Sequence, residues 1–467
     1  MTTWWCERAW LGDPAGATEA GVVITSDDDR ITDVETGVAA PAGSERLAGL
    51  TIPGAANAHS HAFHRALRGR THGDGGTFWT WRDTMYDLAG RLDPDNYLAL
   101  ATATFAEMAL AGFTCVGEFH YLHHGPDGVP YADPNEMGET IRAAAEGAGI
   151  RLTLLDTCYL HAGPITPLLP PDSVAMATAS GARTSGWRVE GDPVQRRFSD
   201  GDAAAWAARV DELQPTDMSR IGAAIHSVRA VDPVSIEQVS AWADGADAPL
   251  HAHVSEQPAE NEQCRAAYGL TPTRILAHHG ALGDRFTAVH ATHLSGQDLA
   301  VLAGSGAGCC ICPTTERDLA DGIGPTAALR ERGAPLCIGT DSHAVIDPFE
   351  EARAVELDER LASGERGTHP PASLLAMATS EGYGQIGWPE GGRIEVGALA
   401  DLTTVALDSP RLAGTPPDQV VASVVFGATA ADVHHVVVGG RTVVSDGRHL
   451  SVDVAQELER SIEAVWA

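Results

Sequence analysis

Two histidines, His59 and His61, are the first residues in this sequence whose type and spacing predict chemistry. They follow an apolar run over residues 50–56, which is typical of a buried β-strand. Residues two apart on a strand point to the same face, so both imidazoles can bind one metal ion. A lone His-x-His pair is common by chance, so the pair indicates a metal site only if other parts of the chain supply further ligands.

The elements that would position such ligands follow an alternating pattern. Ala-rich helical stretches, such as residues 97–111 and 136–148, lie between most of the apolar, strand-like runs. The pattern predicts a (β/α)8 TIM barrel of the α/β class with long insertions. An open, doubly wound sheet is the alternative, but no GxGxxG follows a strand. The eight runs cover residues 51–61, 113–121, 151–161, 220–231, 249–256, 287–294, 307–313 and 335–341.

Polar residues gather at the ends of these runs, which is where barrel enzymes place their chemistry. So many polar residues at one predicted rim of the barrel are hard to explain as isolated structural residues. They are His59 and His61, Tyr121, His161, His226 and Arg229, His253 and Glu256, His290 and His293, and Asp341.

A catalytic zinc site needs nitrogen or oxygen ligands and one open position for water. His59, His61 and His253 can supply imidazoles, and Asp341 can supply a carboxylate. A metal held in this way generates a hydroxide near neutral pH. Paired-metal barrels commonly bridge their ions with a carbamylated lysine, but all 31 basic residues here are arginine. We therefore expect one divalent ion, Zn²⁺ by preference.

Glu256 lies three residues beyond His253, where a carboxylate could take a proton from water and pass it to a leaving nitrogen. The structural alternative is a solvated loop glutamate. His290 could polarise the group under attack, and the alternative is a hydrogen-bonded core histidine. His293 competes with His290 for the same role.

Arginine is suited to bidentate recognition of carboxylates, which makes two arginines candidates for substrate binding. Arg229 lies near the end of an apolar run, where a buried charge needs a partner. Arg82 follows an aromatic segment after the first run, and a structural ion pair with Asp83 is its alternative.

The two ends of the chain predict a second, smaller domain. Short β-branched segments separated by Asp-rich, Gly-Gly and Asp-Gly turns occur near both termini. We expect residues 1–51 and 391–467 to form a composite β-sandwich domain beside a barrel over residues 52–390.

Composition excludes several classes of partner. A net charge of -32, from 63 acidic and 31 basic residues, disfavours nucleic acid and anionic membranes. The N-terminus lacks a secretory signal pattern and no apolar run reaches transmembrane length, so we expect a cytoplasmic protein.

The eight cysteines predict reduced, buried thiols, with a Cys310-x-Cys312 metal pair as the alternative. The oligomeric state, a homodimer included, stays open.

The motifs together resemble the amidohydrolase superfamily and, within it, the formimidoylglutamate deiminases of histidine degradation. His59-Ser60-His61, His253 with Glu256, His290 and the segment at residues 339–342 are signals of the superfamily. Narrower signals are residues 57–63, 78–82, 117–121, 226–229 and 312–316. The resemblance runs from the first strands to the end of the chain.

This resemblance implies hydrolysis of N-formimidoyl-L-glutamate to N-formyl-L-glutamate and ammonia at a mononuclear zinc centre. It implies His59, His61, His253 and Asp341 as ligands, with Glu256, His290 and Asp341 in catalysis. His64, Arg82, Tyr121, His226 and Arg229 would bind the small dicarboxylate substrate. The family often has glutamine where this chain has His64, so that contact differs from the family pattern.

Two competing interpretations are open. Another deaminase of the superfamily would act on a purine, pyrimidine or related ring, but ring substrates favour stacking aromatics over paired arginines. A metal-free barrel used as a scaffold would have lost ligands, whereas this chain keeps the predicted set and Glu256.

Overall fold

A computed structural model describes residues 1–72, 78–161 and 193–467 of the chain. Within these ranges, sixteen strands form two sheets of eight strands each. The strands are β1 Thr2–Ala9, β2 Glu19–Asp27, β3 Arg30–Glu35, β4 Glu45–Pro53, β5 Ala55–Ser60, β6 Phe113–His120, β7 Arg151–Cys158, β8 Ser219–Ile225, β9 Leu250–Val254, β10 Phe286–His290, β11 Gly308–Ile311, β12 Leu336–Ile338, β13 Leu402–Val405, β14 Val433–Val438, β15 Arg441–Ser445 and β16 Arg448–His449.

Helices connect these strands and cover the barrel. The α-helices span Phe78–Arg91, Pro94–Ala111, Glu136–Ala148, Ala203–Val210, Pro233–Gly245, Pro258–Tyr268, Pro272–His278, Gly296–Gly304, Pro313–Asp318, Thr326–Glu331, Pro348–Ser363, Pro371–Ala378, Ser380–Gln385, Val420–Gly427 and Val454–Trp466. Short 3-10 helices span Ala62–Leu67, Pro126–Gly128, Pro193–Phe198 and Ala430–Asp432. No helix in the described part of the chain is long and apolar enough to cross a membrane.

Strands β5 to β12 form a parallel sheet in sequence order. A parallel bridge between Ser60 and Asp341 joins the two ends of this sheet and closes the barrel. Each of the eight predicted apolar runs overlaps one of these strands, so the predicted (β/α)8 fold is confirmed. Their residues are almost wholly buried because the interior and the helix layer cover both faces.

The strands near both termini form one mixed sheet beside the barrel, which confirms the second part of the predicted fold. Strand β4 joins the two ends of the chain, since it pairs in parallel with β1 and antiparallel with β13. The apolar run predicted as one strand is in fact two strands. Its first residues belong to β4, and Gly54 separates them from β5. A Cβ at Gly54 would lie 2.1 Å from the Thr114 hydroxyl, so no larger residue fits there.

Local sequence signals account for the helix Pro94–Ala111. Asp93 and Asn96 form a reciprocal capping box, and Pro94 occupies the first turn. Gly112 ends the helix in the left-handed region at φ 101°. Only Gly112 therefore separates this helix from β6, one of the strands that surround the candidate site.

A buried ionic network stabilises the outer side of the barrel. Arg209 donates to both oxygens of Asp156, at 2.9 and 2.8 Å, and to Asp200 at 2.9 Å. Burial would raise the pKa of Asp156, but Arg209 holds it below its usual value. The arginine therefore compensates two buried carboxylates that would otherwise be costly.

All eight cysteines are free and buried, as predicted.

Candidate active site

Four side chains meet where the strands end at the carboxyl side of the barrel. His59 Nε2 lies 3.2 Å from His253 Nε2 and 3.4 Å from Asp341 Oδ1. His61 Nε2 lies 3.4 Å from the same carboxylate oxygen. Ligand atoms around a tetrahedral zinc, each at roughly 2.0–2.1 Å, are about 3.3 Å apart. The ligand atoms of His59, His61 and His253 lie within 4.8 Å of one another, and Asp341 lies 3.4 Å from two of these histidines, so the four side chains have the spacing of a metal-binding set. Asp341 also forms such groups with His59 and His290 and with His61 and His64.

Hydrogen bonds to backbone carbonyls prepare two of these histidines for metal binding. His61 Nδ1 donates to the Phe119 carbonyl at 2.9 Å, and His253 Nδ1 donates to the His226 carbonyl at 2.9 Å. Because a carbonyl can only accept, the proton sits on Nδ1 and the Nε2 lone pair faces the cluster. Burial, and then the neighbouring imidazoles, lower the pKa of His61 and His253 well below the usual value, as expected of neutral ligands.

The closing of the barrel brings Asp341 to the histidines. Gly339 packs so tightly against β5 that a Cβ there would lie 2.7 Å from His59 Cβ and 2.9 Å from its backbone nitrogen. Asp341 itself has φ 45°, and Ser255 and His290 have φ 53° and 67°. Such left-handed conformations are costly for residues other than glycine and cluster at functional sites. Here they occur at three strand ends that present polar side chains.

Glu256 and His290 face each other beside this cluster. His290 Nε2 lies 3.8 Å from Glu256 Oε1 and 3.8 Å from Asp341 Oδ2, and its Nδ1 lies 3.4 Å from Glu316 Oε1. Burial would lower the pKa of His290, but Glu256, Glu316 and Asp341 raise it to about 10. Burial also raises the pKa of Glu256, and His290 is the main group that opposes this rise.

His293, the competitor of His290 in the sequence, is used elsewhere. Its Nε2 donates to the Asp321 carbonyl at 2.8 Å, which fixes a loop outside the cluster. His293 is also absent from the residues that line the cavity described next, whereas His290 is among them.

One cavity opens above the cluster and is lined by ten of the eleven predicted site residues. His59 is the exception, since it lies fully buried beneath the cavity floor. The ten are His61, His64, Arg82, Tyr121, His226, Arg229, His253, Glu256, His290 and Asp341. The alternative of a solvated loop position does not describe Glu256, whose side chain is only 17% exposed and faces this cavity.

Two arginines, Arg82 and Arg229, line the cavity and give it positive charge. Arg229 has a buried Nη1 with no hydrogen-bond partner among the described residues. Burial would lower the pKa of Arg229, but Tyr159, Tyr86, Glu260 and Glu256 outweigh it. The Arg82 guanidinium lies 5.5 Å over the Tyr86 ring. The cavity thus contains two cations as well as the metal-binding set.

His64 and Tyr121 form the side of the cavity next to the metal-binding set. His64 Nε2 lies 2.9 Å from the Tyr121 hydroxyl, and the His64 ring centre lies 4.6 Å from that of His61. Burial lowers the pKa of His64 well below its usual value, so its imidazole is neutral. His226 completes this wall, with its ring centre 4.5 Å from that of Tyr159.

Several cavity or supporting residues were not predicted. Glu316 lies in a segment quoted as a family signal, but its contact with His290 crosses between neighbouring strand ends. Glu260 is in the first turn of the helix Pro258–Tyr268, where an acidic residue is usual on helix grounds alone. Tyr86, Tyr159 and Phe198 are single aromatics on separate elements, and no spacing relates them.

The chain is similar to known proteins in sequence and in fold. Residues 50–443 match the model of the Amidohydrolase family. The chain is 37% identical over 422 residues to a formimidoylglutamate deiminase of Pseudomonas aeruginosa, covering 87% of each chain. It is 29% identical to a 5-methylthioadenosine/S-adenosylhomocysteine deaminase of Halobacterium salinarum, covering 94% of this chain and 93% of the other.

A crystal structure of an amidohydrolase from Brucella melitensis matches the whole chain with a TM-score of 0.87 at 33% identity, and all of that chain is covered. The family is metal-dependent, and its relatives here include deaminases of different substrates. The chain belongs to the amidohydrolase family and is a metal-dependent hydrolase that acts on C–N bonds.

Proposed function

We propose that this enzyme hydrolyses N-formimidoyl-L-glutamate to N-formyl-L-glutamate and ammonia. The observation that carries the proposal is the placement of Arg82 and Arg229 in the cavity that also contains the metal-binding set. A substrate with two carboxylates and one reactive amidine needs cations at one end and hydrolytic chemistry at the other. The 37% identity to the deiminase of Pseudomonas aeruginosa supports the same substrate.

The residues fit one divalent metal ion, which we propose is Zn²⁺. His59, His61, His253 and Asp341 would hold it, since their ligand atoms converge and two of the histidines have a fixed, suitable tautomer. When bound, such an ion makes water acidic enough to serve as a nucleophile near neutral pH. The absence of lysine removes the carbamate bridge that a paired-metal barrel would use, which supports a single ion.

Glu256 is the proton carrier in this proposal. Its carboxylate borders both the metal-binding set and the cavity, so it can accept a proton from the attacking water. It then delivers that proton to the leaving nitrogen, so the C–N bond breaks with release of ammonia. Burial raises the pKa of Glu256, which favours a group that must both accept and return a proton.

His290 orients the reacting group from the opposite side of Glu256. Glu316 holds its Nδ1 at 3.4 Å, so Nε2 faces Glu256 and Asp341. A donor fixed in this way can stabilise charge that develops on the amidine carbon and its substituents during attack.

We assign the two arginines to different carboxylates from their neighbours in the cavity. Arg229 interacts electrostatically with Glu256 and Glu260, whereas Arg82 lies over Tyr86. In the substrate, only one nitrogen and Cα separate the amidine carbon from the α-carboxylate, and the γ-carboxylate is two methylenes further away. Arg229 therefore binds the α-carboxylate and Arg82 the γ-carboxylate.

His64, Tyr121 and His226 complete the binding wall. The hydrogen bond between His64 and Tyr121 fixes both side chains at the edge of the cavity. A neutral imidazole at position 64 can donate or accept one hydrogen bond, which lets it replace the glutamine that is frequent in the family.

The test is incubation of the metal-loaded enzyme with N-formimidoyl-L-glutamate, with ammonia measured and the organic product identified by mass spectrometry. We expect ammonia and N-formyl-L-glutamate in equal amounts. Formamide and glutamate would mean that the other C–N bond is cleaved, and no reaction would refute the proposed substrate.

A further inference from the structure

A second glutamate in the cavity, Glu260, has no role in the chemistry described so far. It lies in the first turn of the helix Pro258–Tyr268 and lines the cavity together with Glu256 and Arg229. Its Oε2 accepts a hydrogen bond from the Glu256 backbone nitrogen at 3.2 Å. Its Oε1 is buried and has no hydrogen-bond partner among the described residues. A buried carboxylate oxygen without a partner is costly unless a ligand satisfies it.

The electrostatic neighbours of Glu260 differ from those of Glu256. His290 is the principal partner of Glu256, whereas Arg229 is the principal partner of Glu260. Glu260 thus adjoins Glu256 through the backbone hydrogen bond and interacts electrostatically with Arg229. Burial raises the pKa of Glu260 to about 7 against the effect of Arg229, so a bound cation would favour its ionised form.

These neighbours of Glu260 fit the part of the proposed substrate next to its reactive carbon. An amidine is protonated at neutral pH, and its positive charge is shared by the leaving nitrogen and the nitrogen attached to Cα. If the leaving nitrogen faces Glu256 and the α-carboxylate faces Arg229, then the internal N–H lies between them. Glu260 adjoins both of these groups, since it accepts from the Glu256 backbone and interacts electrostatically with Arg229.

We propose that Glu260 binds the internal N–H of the cationic amidine and so favours the substrate over the product, whose formyl amide group is uncharged. The inference rests on the proposed function. Substrate and product share both carboxylates and the internal N–H, but only the substrate carries the positive charge. A carboxylate at this position strengthens binding of the cation and leaves a neutral amide with an ordinary hydrogen bond. It therefore assists product release as well as substrate choice.

A purely structural role for Glu260 makes a different prediction. An acidic residue in the first helical turn that accepts a backbone N–H needs only one side-chain oxygen, and glutamine serves equally well there. Glu260→Gln therefore keeps the helix contact and removes the charge. Glu262→Gln is the matched control, because Glu262 is exposed on the same helix and outside the cavity.

The experiment compares kcat/KM for N-formimidoyl-L-glutamate with the inhibition constant of N-formyl-L-glutamate in the metal-loaded enzymes. Glu260→Gln should lower kcat/KM on the order of tenfold or more, while the inhibition constant changes by less than about threefold. Glu260→Asp, which keeps the charge, should retain the preference for substrate over product. The control variant should match the parent in both constants.

The inference is overturned if Glu260→Gln leaves kcat/KM at the parental value, or if both constants change by the same factor. A parental enzyme that releases no ammonia from N-formimidoyl-L-glutamate would overturn the proposed function itself, and this inference with it. The two failures are therefore distinguished by the parental reaction alone.

Discussion

Arg229→Met removes the guanidinium that we place on the α-carboxylate while keeping a long apolar stem in its position. The parental side chain is held between Tyr86, Tyr159 and the cavity, with a buried Nη1 that has no partner among the described residues. The substitution therefore removes one charged group and leaves the four proposed metal ligands unchanged.

The expected loss follows from the contacts that disappear. A hydrogen bond to a charged group contributes about 1.5–3 kcal/mol, which corresponds to roughly 10- to 150-fold in kcat/KM. The loss should reach at least this range, because the unpaired substrate carboxylate would also lie near Glu260 and Glu256 without a compensating cation.

Three substrates identify which contact is lost. N-formimidoyl-L-glutamate has both carboxylates, N-formimidoyl-4-aminobutyrate lacks the α-carboxylate, and N-formimidoyl-L-norvaline lacks the γ-carboxylate. Arg229→Met should reduce kcat/KM strongly for the first and third and little for the second. Arg82→Met should reduce kcat/KM strongly for the first and second substrates and little for the third. Arg265→Met, at an exposed position on the helix Pro258–Tyr268, is the control and should match the parent.

Metal content must be measured alongside, since it should not change in any of these variants. Parental kcat/KM on N-formimidoyl-L-glutamate in both Arg229→Met and Arg82→Met would refute the carboxylate contacts and favour a ring substrate. An equal loss on all three substrates would show that Arg229 does not distinguish the α-carboxylate.

Three further predictions concern catalysis, metal and stability. Glu256→Gln should keep the metal and lower kcat by roughly 10²–10⁴-fold, and retention of more than about a tenth of parental kcat would contradict its role as proton carrier. Elemental analysis should find one tightly held divalent ion per chain, whose removal by a chelator abolishes turnover; an active enzyme that requires two ions would contradict this. Arg209→Met should lower the free energy of unfolding at pH 7 by about 3–5 kcal/mol, measured by urea denaturation. Arg209 depresses the pKa of Asp156 in the folded protein, so this stabilisation is present above the pKa of about 4 that an aspartate has in the unfolded chain. It is lost as the pH falls through the lower pKa of the folded state. The difference in unfolding free energy between variant and parent should therefore shrink in acid.

The sequence predicts the barrel and much of the site because both depend on regular spacing. His59 and His61 are two residues apart at a strand end, and Asp341 follows the last apolar run. The carboxyl ends of parallel strands in a barrel meet at one rim, so residues far apart in the chain can be expected to lie together. The distances among His59, His61, His253 and Asp341 agree with that expectation.

The change of sheet at Gly54 could not be predicted from apolar patterning. Residues on both sides of it are buried, because β4 lies in the terminal sheet and β5 in the barrel. Burial on both sides gives one continuous apolar run, so the boundary carries no polar signal. Only the close approach of Thr114 explains why glycine is required.

The helical residues that support the site could not be predicted from the sequence either. Glu316 and Glu260 each lie in the first turn of a helix, where an acidic side chain has an ordinary structural explanation. The contact of Glu316 with His290 and the electrostatic interaction of Glu260 with Arg229 depend on how neighbouring βα units pack. No periodicity along the chain records that packing.

The most direct test of the central claim is a competition among substrates in one reaction. The metal-loaded enzyme is given equal concentrations of N-formimidoyl-L-glutamate, 5-methylthioadenosine and adenosine, and the consumption of each is followed by mass spectrometry. We predict that N-formimidoyl-L-glutamate is consumed first, with N-formyl-L-glutamate and ammonia as products, while both nucleosides persist. Preferential deamination of either nucleoside would contradict the account.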